Sequence, residues 1–189
     1  TPESGKHAVV EALCELTGWS IGHASEVMSS THSTPLLQLA DDTLRAIPPR
    51  RTETVLVHAD LWAGNMMWSG DSDVTLIDWK DSGVGDPGVD VGHLRMKMAV
   101  QYGLDAASYV LDGWQHEMDQ EATDVPYWDV VAAMHTPTVL DDWEPGFDDQ
   151  GRQLTSGAVT ERRDAFLRNA LDKLDRSMTL LPHLDANAP

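Results

Sequence analysis

The chain has 189 residues and sets 31 Asp and Glu against 13 Lys and Arg, a formal charge of −18 that repels phosphate backbones and argues against nucleic acid as a partner. Its 41% hydrophobic and 23% charged residues are a globular composition, and at this size about 70% of the extended surface can be buried, so a core is expected and general disorder is not. No run approaches 18 apolar residues and no basic–apolar–small leader opens the chain, so neither a membrane span nor a secretory signal is expected. The single cysteine, Cys14, leaves no intrachain disulfide or Cys-rich zinc site, and a reducing cytoplasm is the expected compartment. Thr1 in place of Met suits a piece processed or excised from something longer.

In chain order, apolar spacing predicts helices over 7–17 and 35–47. In the second, Leu36, Leu37, Leu39, Ala40 and Leu44 share one broad face, Thr34-Pro35 reads as an N-cap and N1 proline, and Pro48-Pro49 ends the helix. Residues 54–57 (TVLV) predict a buried strand. Residues 65–68 and 74–77 predict two more strands, joined as a hairpin through the polar turn at 69–73. Residues 79–88, with three glycines and a proline, predict a loop. Helices are then expected from 89 onward, over 105–118 and over 127–140, with a loop at 144–157. A final helix carries Leu167, Leu171, Leu174, Met178 and Leu181 at spacings of 3 and 4. The tail 186–189 is expected to fray. The fold class that follows is α+β, mostly α-helical, with a small β-hairpin in the first half.

Residues 55–90 place polar side chains at strand ends: His58 and Asp60 after the first strand, Asn65 opening the second, Asp78 closing the third. Strand ends around a hairpin can converge. A carboxylate at Asp60 can accept a proton from an attacking hydroxyl. The amide oxygen of Asn65 and the carboxylate of Asp78 are hard donors suited to Mg²⁺, which binds through one or two carboxylates plus substrate phosphates. One base and one such pair are the equipment of phosphoryl transfer.

His58-Ala59-Asp60-Leu61-Trp62-Ala63-Gly64-Asn65 resembles the catalytic loop of the aminoglycoside phosphotransferase family. Ile77-Asp78-Trp79 and Gly85-Asp86-Pro87-Gly88-Val89-Asp90 resemble its metal-binding and Gly-Asp-Pro-x-x-Asp elements, in the same order. The resemblance implies a protein-kinase-like C-terminal lobe spanning residues 1–185. It implies Asp60 as catalytic base, His58 bracing the loop, Asn65 and Asp78 holding Mg²⁺ against the phosphates of ATP or GTP, and Asp86 and Asp90 as structural support. Two positions depart from the pattern. Ala59 stands where the family usually has Gly, which is tolerable at negative φ. Trp62 stands where His is more common, and a similar Asp-Leu-Trp-x-Gly-Asn run occurs in fructosamine kinases. The N-terminal nucleotide lobe, which supplies the phosphate-binding lysine, has no counterpart in residues 1–50, where the only lysine is Lys6. A chain lacking half of the ATP cleft is expected to have little or no activity alone.

The acceptor implied is a small hydroxyl-bearing molecule. Asp141, Asp142, Glu144, Asp148 and Asp149 form an acidic run suited to a cationic acceptor, or simply a solvated loop, and Asp81 is a further candidate near the transfer point. Trp128, Trp143 and Tyr127 are candidates to line a pocket or pack the core. His7 and Glu11 have ligand spacing without a third ligand. The alternative functions are a non-catalytic small-molecule binding module and, third, a metal-dependent hydrolase, which lacks the extra ligand that two metals require. The motifs leave open the acceptor and whether antibiotic resistance is the biological role.

Overall fold

The computed structural model describes residues 34–47, 54–70, 73–140 and 157–180. The predicted helix over 7–17, with His7, Glu11 and Cys14, lies outside them, as do the 144–156 segment and the tail.

Helix α1 spans Pro35–Ala46. Its start is chemical: Pro35 presets φ, and the Thr34 hydroxyl accepts the Leu37 N–H at 3.3 Å. Leu37 and Ala40 are buried and Leu36 and Leu44 pack beside them, but Leu39 is 55% exposed and leaves the predicted apolar face. Two rows of the helix reach the core, and Leu39 falls outside both.

Strands β1 (Val55–Val57), β2 (Met66–Ser69), β3 (Asp73–Leu76) and β4 (Gly83–Gly85) form two separate antiparallel pairs. The hairpin β2–β3 pairs Met66 with Leu76 and Ser69 with Asp73. Strand β4 corrects the predicted loop at 79–88: Gly83 and Gly85 pair with Val57 and Val55. A Gly-Val-Gly run has no strand propensity of its own, and its partner is distant in sequence, so local composition reads it as loop. A short 3₁₀ turn, Trp79–Asp81, precedes it. Strand β1 is less buried than predicted. Only Val57 is buried; Val55 and Leu56 are exposed.

Helices α2 (Gly88–Tyr102), α3 (Leu104–Met118), α4 (Val125–Met134) and α5 (Ala158–Leu180) make the helical layer. Helix α2 packs against α3, α4 and α5 and buries one side at Val91, Gly92, Arg95, Met96, Ala99 and Val100. The core joins Met96, Ala99 and Val100 to Leu37, Ala107, Val130, Met134, Leu140, Phe166, Leu167 and Leu174, each large apolar side chain contributing about 1.5–3 kcal/mol. Two buried arginines stitch the layer. Arg95 grips the Asp129 carboxylate with two bonds of 2.8 and 2.9 Å and donates to the Ala107 carbonyl, joining α2, α3 and α4. Arg163 of α5 donates to Thr136 Oγ1 and to the carbonyls of Pro137 and Thr138. That second set explains why α4 stops at Met134 rather than at 140: Pro137 cannot continue the helix, and the carbonyls beyond it serve Arg163. Among the described residues no helix is long and apolar enough to cross a membrane.

Candidate active site

The loop from His58 to Asn65 bridges the two sheets, leaving β1 and entering β2 through a 3₁₀ turn at Ala63–Asn65. It is anchored from below by α2. The Asp90 carboxylate accepts the backbone N–H of His58 and of Ala59, both at 2.8 Å. Burial raises the Asp90 carboxyl, and these two N–H donors oppose that rise. Asp86, also buried, accepts the Gly88 N–H at 2.7 Å and so holds the first turn of α2, the helix that presents Asp90.

His58 is almost fully buried. Its Nε2 donates to the Ile77 carbonyl at 2.8 Å and its Nδ1 accepts the Asp60 N–H at 3.3 Å, which sets the hydrogen on Nε2. The ring leans on Trp79, centroids 4.6 Å apart. His58 therefore links the loop carrying Asp60 to the residue before Asp78. A second link runs beside it: the Ile77 N–H donates to the Asn65 carbonyl at 3.0 Å.

Asp60 and Asn65 meet directly. The Asn65 Nδ2 donates to the Asp60 carbonyl at 2.9 Å and to Asp60 Oδ2 at 3.2 Å. This spends the amide donor and leaves Asn65 Oδ1 as its metal-capable atom. Asp78 sits in the left-handed region (φ 62°) at the head of the Trp79–Asp81 turn, which folds Lys80 back so that its Nζ bonds Asp78 Oδ2 at 2.8 Å. That ion pair raises the Lys80 ammonium, with the charges of Asp81 and Asp60 adding to the effect. The pair is exposed and weak. Among the described residues no three His, Cys, Asp or Glu side chains group to hold a metal. The donors at hand are one carboxylate and one amide oxygen, hard oxygens that fit Mg²⁺ completed by phosphate and water.

The model of the phosphotransferase enzyme family matches residues 10–133, which include this loop, the hairpin and helices α2 and α3. The chain belongs to that family. Its members transfer a phosphoryl group, and the mostly helical fold with small antiparallel sheets agrees with the kinase-like plan expected of them. No curated protein and no solved structure matches the chain.

In this phosphotransferase, Ala59 departs from the expected geometry: its φ is +64°, the left-handed region where the family's usual Gly is at ease. Asp141, Asp142 and Glu144 lie outside the described residues, as do Asp148, Asp149 and Trp143; Asp81 is exposed beside Lys80. Trp128 is buried over Gly88 and Gly92 and lines a cavity of about 890 Å³ between α2, α3 and the segment before α4. That cavity reaches Leu61 but neither Asp60, Asn65 nor Asp78. Sequence reasoning missed two residues beneath the loop and a third behind them. The Ala59 backbone favours the charged form of His93, whose Nδ1 has no hydrogen-bond partner among the described residues, and burial lowers it to about 3. His135, itself lowered by burial, lies against the His93 ring. Lys97 lies over Trp62. The signal was available: Asp90, His93 and Lys97 are spaced by 3 and 4 and share one face of α2.

Proposed function

We propose that the chain is the C-terminal lobe of an ATP-dependent small-molecule O-phosphotransferase that moves the γ-phosphoryl group onto a substrate hydroxyl. The observation that supports this reading most is the direct bond between Asn65 and Asp60 at a loop tied twice to Ile77, the residue before Asp78. Asp60 accepts the acceptor hydroxyl's proton on the oxygen not engaged by Asn65. The hydroxyl oxygen then bonds to the γ-phosphorus as the bond to the bridging oxygen breaks, and ADP leaves. Asn65 and Asp78 would hold Mg²⁺, which supplies charge neutralisation on the phosphates when bound. Asp90 and His58 hold the loop rigid and take no part in proton transfer.

The surface around the site suits a second lobe. Met67, Trp68 and Trp79 are 57%, 65% and 43% exposed, and large apolar side chains crowded beside a charged site are the kind of surface that a partner layer covers. On this reading the lysine for the α- and β-phosphates and the nucleotide-covering loop come from an N-terminal lobe that residues 1–50 do not encode, and the acceptor is a hydroxyl-bearing small molecule, cationic if the 141–144 acids face it.

Asp60→Asn in the full-length parent is the test. Transfer of labelled phosphate from ATP is expected to fall at least about 100-fold while binding of a fluorescent ATP analogue is retained. The 189-residue chain alone is expected to transfer little or none. Unchanged turnover in the variant would remove Asp60 from this role. Nucleotide-independent product release would point to hydrolysis, and ligand binding without transfer to a binding module.

A further inference from the structure

We propose that the cavity between α2, α3 and the segment before α4 is a second ligand site, one that takes an organic cation with an apolar body. Its volume, about 890 Å³, is that of a site for a drug-sized molecule. It is separate from the proposed transfer point. It reaches Leu61 and the loop-bearing Asp90, but none of Asp60, Asn65 and Asp78.

Helix α3 supplies one wall. Val110, Gly113, Trp114 and Glu117 stand at i, i+3, i+4 and i+7, a single face of the helix, and all four line the cavity. Gly113 is the telling position, because a glycine in a helix interior costs about 1 kcal/mol against alanine. On α2, Gly88 and Gly92 have a packing reason, since a Cβ at either would collide with Trp128. A Cβ at Gly113 would meet nothing within 4 Å. No described neighbour requires glycine there; what the missing side chain leaves is room in the cavity, which a ligand lying against the α3 backbone would use.

The lining states the ligand's chemistry. Trp114 and Trp128 give it aromatic surface. Tyr109 and Met118 line it as well, although 75% and 53% exposed, and large apolar side chains left in solvent beside a cavity mark a contact surface. The charges are of one sign: Asp86, Asp90, Glu117 and Glu121 line the cavity, and among the described residues no lysine, arginine or histidine does. Asp86 and Asp90 accept backbone N–H groups, whereas Glu117 and Glu121 are exposed. Aromatic surface beside carboxylates suits an ammonium group, and an anion there would meet repulsion alone.

The experiment titrates the full-length parent with dansylcadaverine, an apolar fluorophore carrying a primary ammonium, and with its uncharged N-acetyl derivative. Neither has a hydroxyl, so neither is an acceptor for O-phosphotransfer, and binding is read without ATP, so the outcome is independent of the phosphotransfer reading. Dansylcadaverine is expected to bind saturably, with blue-shifted emission, and more tightly than the N-acetyl derivative by about threefold or more. Gly113→Leu, which fills the cavity, is expected to weaken both probes by about tenfold or more. Glu117→Gln with Glu121→Gln is expected to weaken only the cation, by about threefold or more; both side chains are exposed, so this variant keeps the fold even where Gly113→Leu does not. Asp60→Asn is expected to leave binding of both probes within about twofold. No saturable binding by the wild type overturns the site. So does binding lost in Asp60→Asn and kept in Gly113→Leu, which would put the probe at the transfer point. Equal affinity for the two probes, or a cation indifferent to the double glutamate variant, overturns the ligand class.

Discussion

Four non-glycine residues of the described chain hold positive φ, and two of them, Ala59 at 64° and Asp78 at 62°, stand on either side of the candidate site. Asp tolerates that region because its short polar side chain can bond locally, whereas Ala lies about 1–2 kcal/mol above its relaxed backbone there. The bond from its N–H to Asp90 keeps Ala59 in place. Ala59→Gly therefore relieves the strain at some cost in unfolded-chain entropy, and a net stabilisation of about 0.5–1 kcal/mol is expected. Urea unfolding of both proteins at equal m-value checks it; a lower midpoint for the glycine variant would show that the loop is not strained at this residue.

At the scale of elements, the seam between α2 and α4 decides how the loop is presented. Gly88 and Gly92 let α2 approach Trp128: a Cβ at Gly92 would lie 2.6 Å from the Trp128 carbonyl oxygen, and one at Gly88 would sit inside the indole. Backbone cannot yield as a side-chain tip can, so Gly92→Ala is expected to destabilise by about 1–3 kcal/mol despite a helix-propensity gain of about 1 kcal/mol. Gly113→Ala on α3, where a Cβ meets open space, isolates that gain and is expected to stabilise. Thermal unfolding of the pair should move in opposite directions, and a shared direction would refute the close-approach argument. The long periodic helices were legible in the sequence because each carries its own apolar spacing. Strand β4 was not, since its pairing with β1 is a tertiary event, and neither was the early end of α4, which Arg163 of α5 helps to set.

For the molecule as a whole, the half-buried His93 beneath the loop makes stability pH-dependent. His93 is lowered to about 3 in the folded chain against an unfolded value near 6.5. Between those values the unfolded chain binds the extra proton, so the contribution is complete above pH 6.5 and lost progressively as pH falls toward 3. From pH 7.5 to 5 the expected loss is about 2 kcal/mol from His93, with His135 adding in the same direction. The charge of −18 acts oppositely only once carboxylates protonate, which for ordinary groups happens below pH 5, so the histidines win in this window. Urea midpoints at the two pH values, with His93→Gln shrinking the difference, test this; equal midpoints for the wild type would show that His93 is protonated in both states or in neither.

The residues 58–90 carry their chemistry in short order-preserving motifs, so the family and the identity of the polar groups could be read directly along the chain. Side-chain types at fixed spacing are a one-dimensional property. What folding alone decided was which groups share space: that Asn65 bonds Asp60, that Lys80 closes on Asp78, that Lys97 reaches Trp62, and that Ala59 is left-handed. Each of these depends on how α2 and the two strand pairs dock, and docking is set by the summed burial of side chains that no local window contains.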